Sequence, residues 1–292
     1  FPNNLLLLGT TDLTLNIPVA DPTDFGDPQV ALNALDGFST VAPWSAGFSS
    51  AVNPASIVPG SSVRVFQVQL VTGTAAVASV VRELTPGVEY VAVPSSVDPD
   101  GASIAILPLR PLQELTAYMA VVTDGITDTG GNDATPSQTY FLGKRTSPLV
   151  DANGSSTDPL LDTATAQALE PLRQIINSQE AAAASMGIDP SRIILSWTMT
   201  TQSITPVLSA IRSTAQPAPV TLAPSGLTTA QVLPGSPGIA DIVVGVVSLP
   251  YYLTPPSAAA PTAPLTEFWR AEPGAYLPPF DQLGLDPTST HV

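Results

Sequence analysis

The sequence predicts a mainly β protein, a β-sandwich followed by a smaller α/β region. Three observations predict it. Short apolar or alternating runs bounded by proline and glycine recur through the first half of the 292 residues, as strands joined by tight turns do. A long helical pattern appears only after residue 160. Two further apolar strand runs, at 193–199 and 241–253, flank and follow the remaining helical signal.

Residues 5–8 are an apolar tetrad, and 12–17 alternate polar and apolar as a short strand. A turn-rich stretch at 21–28 leads to a helical turn at 30–35, ahead of Asp36-Gly37. Residues 61–70 place Arg64, Phe66, Val68 and Leu70 opposite Val63 and Val65, the period of a strand. Residues 77–81 and 88–93 are further strands, separated by Thr85-Pro86-Gly87.

The most informative run is 104–132, which reads as a hairpin-like centre. Ile104 to Leu107 form an apolar run stopped by Pro108; then Tyr118, Ala120 and Val122 alternate with Met119 and Val121. With both faces apolar, the second strand is expected to be buried on one side and half-covered on the other. Pro108 and Pro111 cannot donate to a ladder, which puts the crossing at an edge or corner. Asp124-Gly125 and Gly130-Gly131-Asn132 then turn the chain.

Residues 1–147 are therefore expected to form one β-sandwich with an N-terminal extension. Polar, turn-forming residues at 148–160 read as a linker, and 161–292 as an incomplete α/β region. There, 163–186 carries the long helix, with Gly187 in the place of a C-terminal cap and Pro171 demanding a kink or fresh start near Glu170. Residues 193–199 are a strand, Thr205-Pro206 opens a short helix through Ile211, and 241–253 is a strand buried on both faces. A Pro/Ala run at 254–264 is loop-like, and Trp269, Tyr276 and Phe280 follow among prolines.

Composition narrows the partners. Asp plus Glu number 24 against 9 Lys plus Arg, a net charge of −15, which repels nucleic acid and anionic headgroups. Proline at 32 and glycine at 20 exceed their roughly 12% combined share of an average protein, yet a hydrophobic content of 44% is enough to bury a core. The absence of cysteine excludes disulfides and thiol chemistry without naming a compartment. The longest apolar stretch, near 242–253, is broken at Pro250 and falls short of the roughly 20 residues of a spanning helix. The chain begins at Phe1 without a basic segment ahead of an apolar one, which reads as a processed or trimmed product.

Two resemblances sharpen the expectation. Pro111-Leu112, Tyr118, Gly125-Ile126-Thr127-Asp128 and Gly130 resemble the closing strands of bacterial Ig-like domains, which implies an Ig-like β-sandwich. Pro2-Asn3-Asn4-Leu5-Leu6, Gly9-Thr10-Thr11-Asp12, Leu15-Asn16-Ile17-Pro18-Val19 and the run from Ala31 to Thr40 resemble the N-terminal region of bacterial virulence-factor-type lipases. Gln167 to Arg173, Leu195 to Ser203 and Leu249 to Leu253 are similar to the same family, although Asn4 and Leu7 replace an expected Asp and aromatic. The resemblance implies a secreted or outer-membrane lipoprotein parent that hydrolyses carboxylic esters, and makes 161–292 the lead-in to its α/β-hydrolase domain.

The chemistry of such a hydrolase is not visible in these residues. A nucleophile elbow of the Gly-x-Ser-x-Gly type is absent; Gly235-Ser236-Pro237-Gly238 has the wrong spacing. His291 stands beside the terminus, where chains fray, and Ser196 and Ser248 sit in apolar strands as satisfied hydroxyls rather than nucleophiles. Asp21, Asp24 and Asp27, Asp98 with Asp100, and Asp124, Asp128 and Asp133 offer oxygens to calcium, but Asp beside Pro or Gly is ordinary turn chemistry. No catalytic, cofactor or metal residue is assigned, and no cofactor is expected.

The function expected is thus the non-catalytic N-terminal part of a bacterial lipase whose partner is the C-terminal hydrolase domain. A surface structural or adhesive protein that self-assembles through strand edges, beginning with Leu5 to Leu8, is the alternative. Lipid docking through Trp269, Tyr276 and Phe280 is a third.

Overall fold

The computed structural model describes residues 1–8, 14–15, 17–22, 27–33, 35–235, 237–251, 253–266 and 289–291. The chain forms two compact units, residues 1–18 with 32–203, and residues 19–31 with 204–292. It is mainly β.

Among its described residues the larger unit holds seven strands: β1 (Trp44–Gly47), β2 (Val63–Leu70), β3 (Val77–Glu83), β4 (Tyr90–Pro94), β5 (Ser103–Pro108), β6 (Ala117–Thr123) and β7 (Ile193–Thr200). They form two antiparallel sheets, β1-β5-β4 and β3-β2-β6-β7. A single apolar cluster draws on both sheets: Trp44, Tyr90 and Ile104 from one, Val65, Tyr118 and Met199 from the other. The Tyr90 hydroxyl donates to Val63 O across this core, and burial pushes its phenol up to about 12.

Along β6, Tyr118, Ala120 and Val122 face this cluster, while Met119 and Val121 join a second one with Phe66, Val68, Tyr140, Ile176 and Ala183. The alternation is as expected, but the second face is fully buried rather than half-covered. The reason is a helix layer on that side, made of α2 (Gln138–Gly143) and α3 (Thr163–Ser185). Arg64 locks the layer to the sheet. Its guanidinium holds Glu83 through two contacts of 2.7 and 2.6 Å and donates to Met186 O at the end of α3, where a cation complements the helix dipole.

The hairpin-like centre is corrected by the topology. β5 pairs β1 and β4, whereas β6 pairs β2 and β7, so residues 109–116 carry the chain from one sheet to the other. Pro111 in this segment cannot donate to a ladder, and Leu115 takes φ 50 within it; Pro108 closes β5 opposite Tyr90. The corner is the part of the expectation that holds.

Residues 148–160 lie inside the larger unit, as do α3 and β7 beyond them. Leu149 is buried, Val150 bridges Ser156, and the near-buried Asp158 pairs with Arg145. Asp151 caps its own turn through the Asn153 and Ser155 amides, which is why composition alone suggested a loose link. The expected boundary at 147 therefore falls between β6 and the strand that completes its sheet. α3 runs without interruption through Pro171, so no fresh start occurs at Glu170. Gly187 has φ 78, as a C-terminal cap requires.

At the N-terminus, residues 5–8 do not form a strand: Asn4–Leu7 is a 3-10 turn, with Leu7 buried and Leu5 and Leu6 exposed. The strand expected at 12–17 is likewise not seen at the described positions 14, 15 and 17. There the Asn33 side chain makes the pairing that a strand would make, accepting from Ile17 N and donating to Ile17 O.

The smaller unit includes most of α1 (Pro28–Leu32) and carries α4 (Thr205–Thr214), β8 (Val220–Thr228), α5 (Thr229–Val232), β9 (Asp241–Val247), β10 (Leu249–Tyr251), α6 (Ala263–Thr266) and β11 (Ser289–His291). Among the described residues β8 pairs only β9, and β10 only β11. The single buried strand expected over 241–253 is overturned: it divides into β9 and β10, and Val243, Val244 and Val246 are exposed. Among the described residues no further strand pairs with this two-stranded ribbon or covers its faces.

Candidate functional site

The sequence-derived candidates disperse. His291 takes part in the β10–β11 ladder opposite Leu249, and Ser248 stands exposed between β9 and β10. Asp27 accepts from Gln29 N, Asp98 from Asp100 N, and Asp128 from Gly130 N and Asn132 N at 2.8 and 2.9 Å. Asp124 pairs with Arg192. Hydrogen bonds from the Asn132 side chain and backbone hold the Asp128 carboxyl below its ordinary value. Among the described residues no three acids or histidines converge on a metal-sized space. Asp24, Ser236, Trp269, Tyr276 and Phe280 lie outside the described residues.

Ser196 is the exception. β7 turns it toward the helix layer, where α2 and α3 surround it with a polar cluster that sequence reasoning missed. The Tyr140 hydroxyl lies 2.7 Å from Ser196 Oγ and 3.1 Å from Glu180 Oε1, and Gln179 Oε1 lies 2.8 Å from Ser196 Oγ. Lys144 Nζ pairs with Glu180 at 3.3 Å and donates to Pro190 O and Ile193 O. The signal was present: Gln179 and Glu180 share the stripe of α3 that carries Ile176 and Ala183, and Tyr140 and Lys144 stand four apart.

The cluster ties β7 to α2 and α3 through side-chain hydrogen bonds. Burial pushes the Tyr140 phenol far above its ordinary value, so it is no base for Ser196. The Lys144 ammonium is taken up by Glu180 and two carbonyls. Three contacts share two hydroxyl protons, so the third proton comes from one end of the chain, Glu180 or the Gln179 amide.

Burial raises Glu180, with Lys144 opposing. The folded chain therefore holds a proton more readily than the unfolded one just above pH 4.5, and this contribution to stability is lost as pH rises through that window. Glu170 has the opposite sign. Arg173, first, and the Leu149 amide lower it to about 2, so its contribution is present above pH 4.5 and lost as pH falls toward 2. Urea unfolding of Glu170→Gln is expected to show a flatter acid limb and a loss of about 1–2 kcal/mol at neutral pH, after solvent screening. Glu180→Ala, which strands Lys144, is expected to lose about 3 kcal/mol in the same assay, and Tyr140→Phe about 1.

Two cavities border β7. One of about 180 Å³ lies at the seam of α2, α3 and β7, with Ala75, Ile176, Ser196 and Trp197 among its buried walls. The other, of about 370 Å³, is a polar groove between Phe48, Asp128, Asp133 and Leu195.

Residues 4–226 match the family described as bacterial virulence factor lipase N-terminal. The chain belongs to that family. No curated protein matches it. Within the bacterial virulence factor lipase N-terminal region lie both sheets, the helix layer and the Ser196 cluster, and the match ends inside β8. Some of the stretches that carry the lipase likeness meet within the larger unit. Asn4 donates to Thr198 and Thr200 of β7, and Phe38 exchanges backbone hydrogen bonds with Thr200 and Gln202. Asp36 likewise accepts from Ser203 N, so residues 36–38 and the end of β7 meet.

Proposed function

We propose that this chain is the non-catalytic N-terminal part of a secreted or outer-membrane bacterial lipase, and that its role is to carry and contact the hydrolase part of the parent. On this reading the four- and three-stranded sheets around one core are an Ig-like sandwich. The segment from β8 onward leads into the hydrolase.

The observation that carries the reading is the β8–β9 ribbon. Val220, Leu222, Val243, Val244 and Val246 are all exposed, and between Ser213 and Thr266 the sequence holds a single charge, Asp241. In a chain of net charge −15 this is a surface made for an uncharged partner. Such a ribbon is marginal by itself, and it straddles the point where the N-terminal family match ends. The hydrolase part of the parent is the partner this position favours. Among the described residues no helix is long and apolar enough to cross a membrane.

Mixing the chain with a separately produced hydrolase part of the parent is expected to give a complex that Leu222→Asp with Val244→Asp weakens at least about tenfold. The chain alone is expected to leave p-nitrophenyl butyrate intact. Turnover abolished by a serine-directed inhibitor would overturn the non-catalytic reading.

One observation favours the alternative, a surface protein that self-assembles through strand edges: among the described residues β8 and β9 pair only with each other, leaving an outer edge on each. Sizing in solution separates the two. A filament or ring supports assembly, a monomer the lipase reading.

A further inference from the structure

We propose that Asn153 is an acceptor for an N-linked glycan, transferred as a preassembled oligosaccharide from a polyprenyl pyrophosphate carrier. The inference shares with the lipase reading only the premise of export, and the test below does not use that premise.

The sequence supplies the motif once. Asn153-Gly154-Ser155 is an asparagine with a hydroxyl residue two places on and no proline between, the pattern that marks such an acceptor. No other asparagine in the chain is followed at that distance by Ser or Thr. Asp151 stands two residues before Asn153, where bacterial transferases read an acid.

The fold sets these residues out for an enzyme to reach. Asp151, Ala152, Asn153 and Ser155 are exposed, and Gly154 is half-buried. The turn is closed by the bridge between Val150 and Ser156, with Asp151 N donating to Ser155 O and Gly154 N to Asp151 O. The Asp151 carboxylate accepts from the Asn153 and Ser155 amides at 2.8 and 2.9 Å, and Gly154 takes φ 78, a conformation that favours glycine. Turn chemistry thus accounts for Asp151 and Gly154. To this frame Asn153 and Ser155 contribute backbone groups that any residue would supply, so the frame does not dictate their side chains.

Other asparagines are held differently. The Asn33 carboxamide clasps Ile17, that of Asn132 donates to Asp128, and that of Asn177 donates to three carbonyls. A sugar on any of these would displace structural hydrogen bonds. At Asn153 the frame runs through backbone groups and the Asp151 carboxylate, and a sugar on the carboxamide leaves it in place.

The reaction joins Asn153 Nδ2 to the anomeric carbon of the first sugar. The bond from that carbon to the pyrophosphate oxygen breaks, the polyprenyl pyrophosphate leaves with the electron pair, and one carboxamide proton passes to a base of the transferase. Ser155 offers its hydroxyl to the enzyme rather than to the bond being made.

The test is incubation of the folded 292-residue chain with a purified bacterial oligosaccharyltransferase and a polyprenyl-pyrophosphate-linked oligosaccharide, followed by mass spectrometry. A gain of one oligosaccharide is expected, mapped to Asn153 within the tryptic peptide 146–173. Asn153→Gln is expected to abolish it, and Ser155→Ala to slow it at least about tenfold, because a site built for a hydroxyl rejects the analogue lacking it. Asp151→Asn, which keeps an oxygen for the turn and removes the charge, is expected to slow it by a similar factor with an unchanged circular dichroism spectrum. A synthetic peptide of residues 146–160 separates motif from fold. The proposal is overturned if the peptide is glycosylated and the folded chain is not, if neither is, or if Asn153→Gln still gains the sugar.

Discussion

Tyr118→Ala is expected to lower the unfolding free energy by about 4 kcal/mol, the cost of deleting a large ring from a closed core. Tyr118 is 1% exposed and packs against Trp44, with ring centroids 6.4 Å apart. β6 brings it to the face shared by both sheets, so its removal opens a void that neither sheet can close alone. The hydroxyl has a second duty, accepting from Gln113 N at 3.1 Å and so anchoring the corner between β5 and β6. Tyr118→Phe keeps the ring and leaves that amide unpaired, for an expected loss of about 1 kcal/mol. Urea unfolding of the two variants separates packing from anchoring; equal losses would refute the division.

Gly37→Ala is expected to cost about 3 kcal/mol, although it adds one carbon. A Cβ at Gly37 would stand 2.6 Å from Gln202 N, 2.6 Å from Thr201 C and 2.7 Å from Thr200 O. All three are backbone atoms at and just past the end of β7, so no side chain can rotate away. The same backbone is tied to the next residue, Phe38 N donating to Thr200 O and Gln202 N to Phe38 O, both at 2.8 Å. Hydrogen exchange should therefore report lost protection at the Phe38 and Gln202 amides together with the fall in stability. A loss under about 0.5 kcal/mol, with both amides still protected, would show that the close approach is not rigid.

Much of the strand content was legible because it depends on local period. Val63 to Leu70 and Ala117 to Thr123 assign their side chains to two faces by alternation, and those are the faces found in the two clusters. The long helix was legible from its apolar stripe and Gly187. The Ser196 cluster was not, because it joins Tyr140, Gln179 and Glu180 to a strand up to 56 residues away in sequence. Each of those residues looks ordinary in its own element. The β8–β9 ribbon escaped for a related reason: an apolar run reads as buried, and only the topology shows that no third strand or helix lies over it among the described residues.

The sequence by itself determined the mainly β class, the two-faced strands, the family signature and the absence of an elbow pentapeptide within these 292 residues. Those properties belong to residues close together along the chain, where backbone period and turn chemistry act directly. Only the tertiary structure decided that β5 and β6 part into different sheets, that β7 completes the sheet begun by β2, and that the Trp197 N–H goes unmet in the core between the sheets. Which strand pairs with which, and which donor goes without an acceptor, depends on surfaces that meet only after the chain has packed.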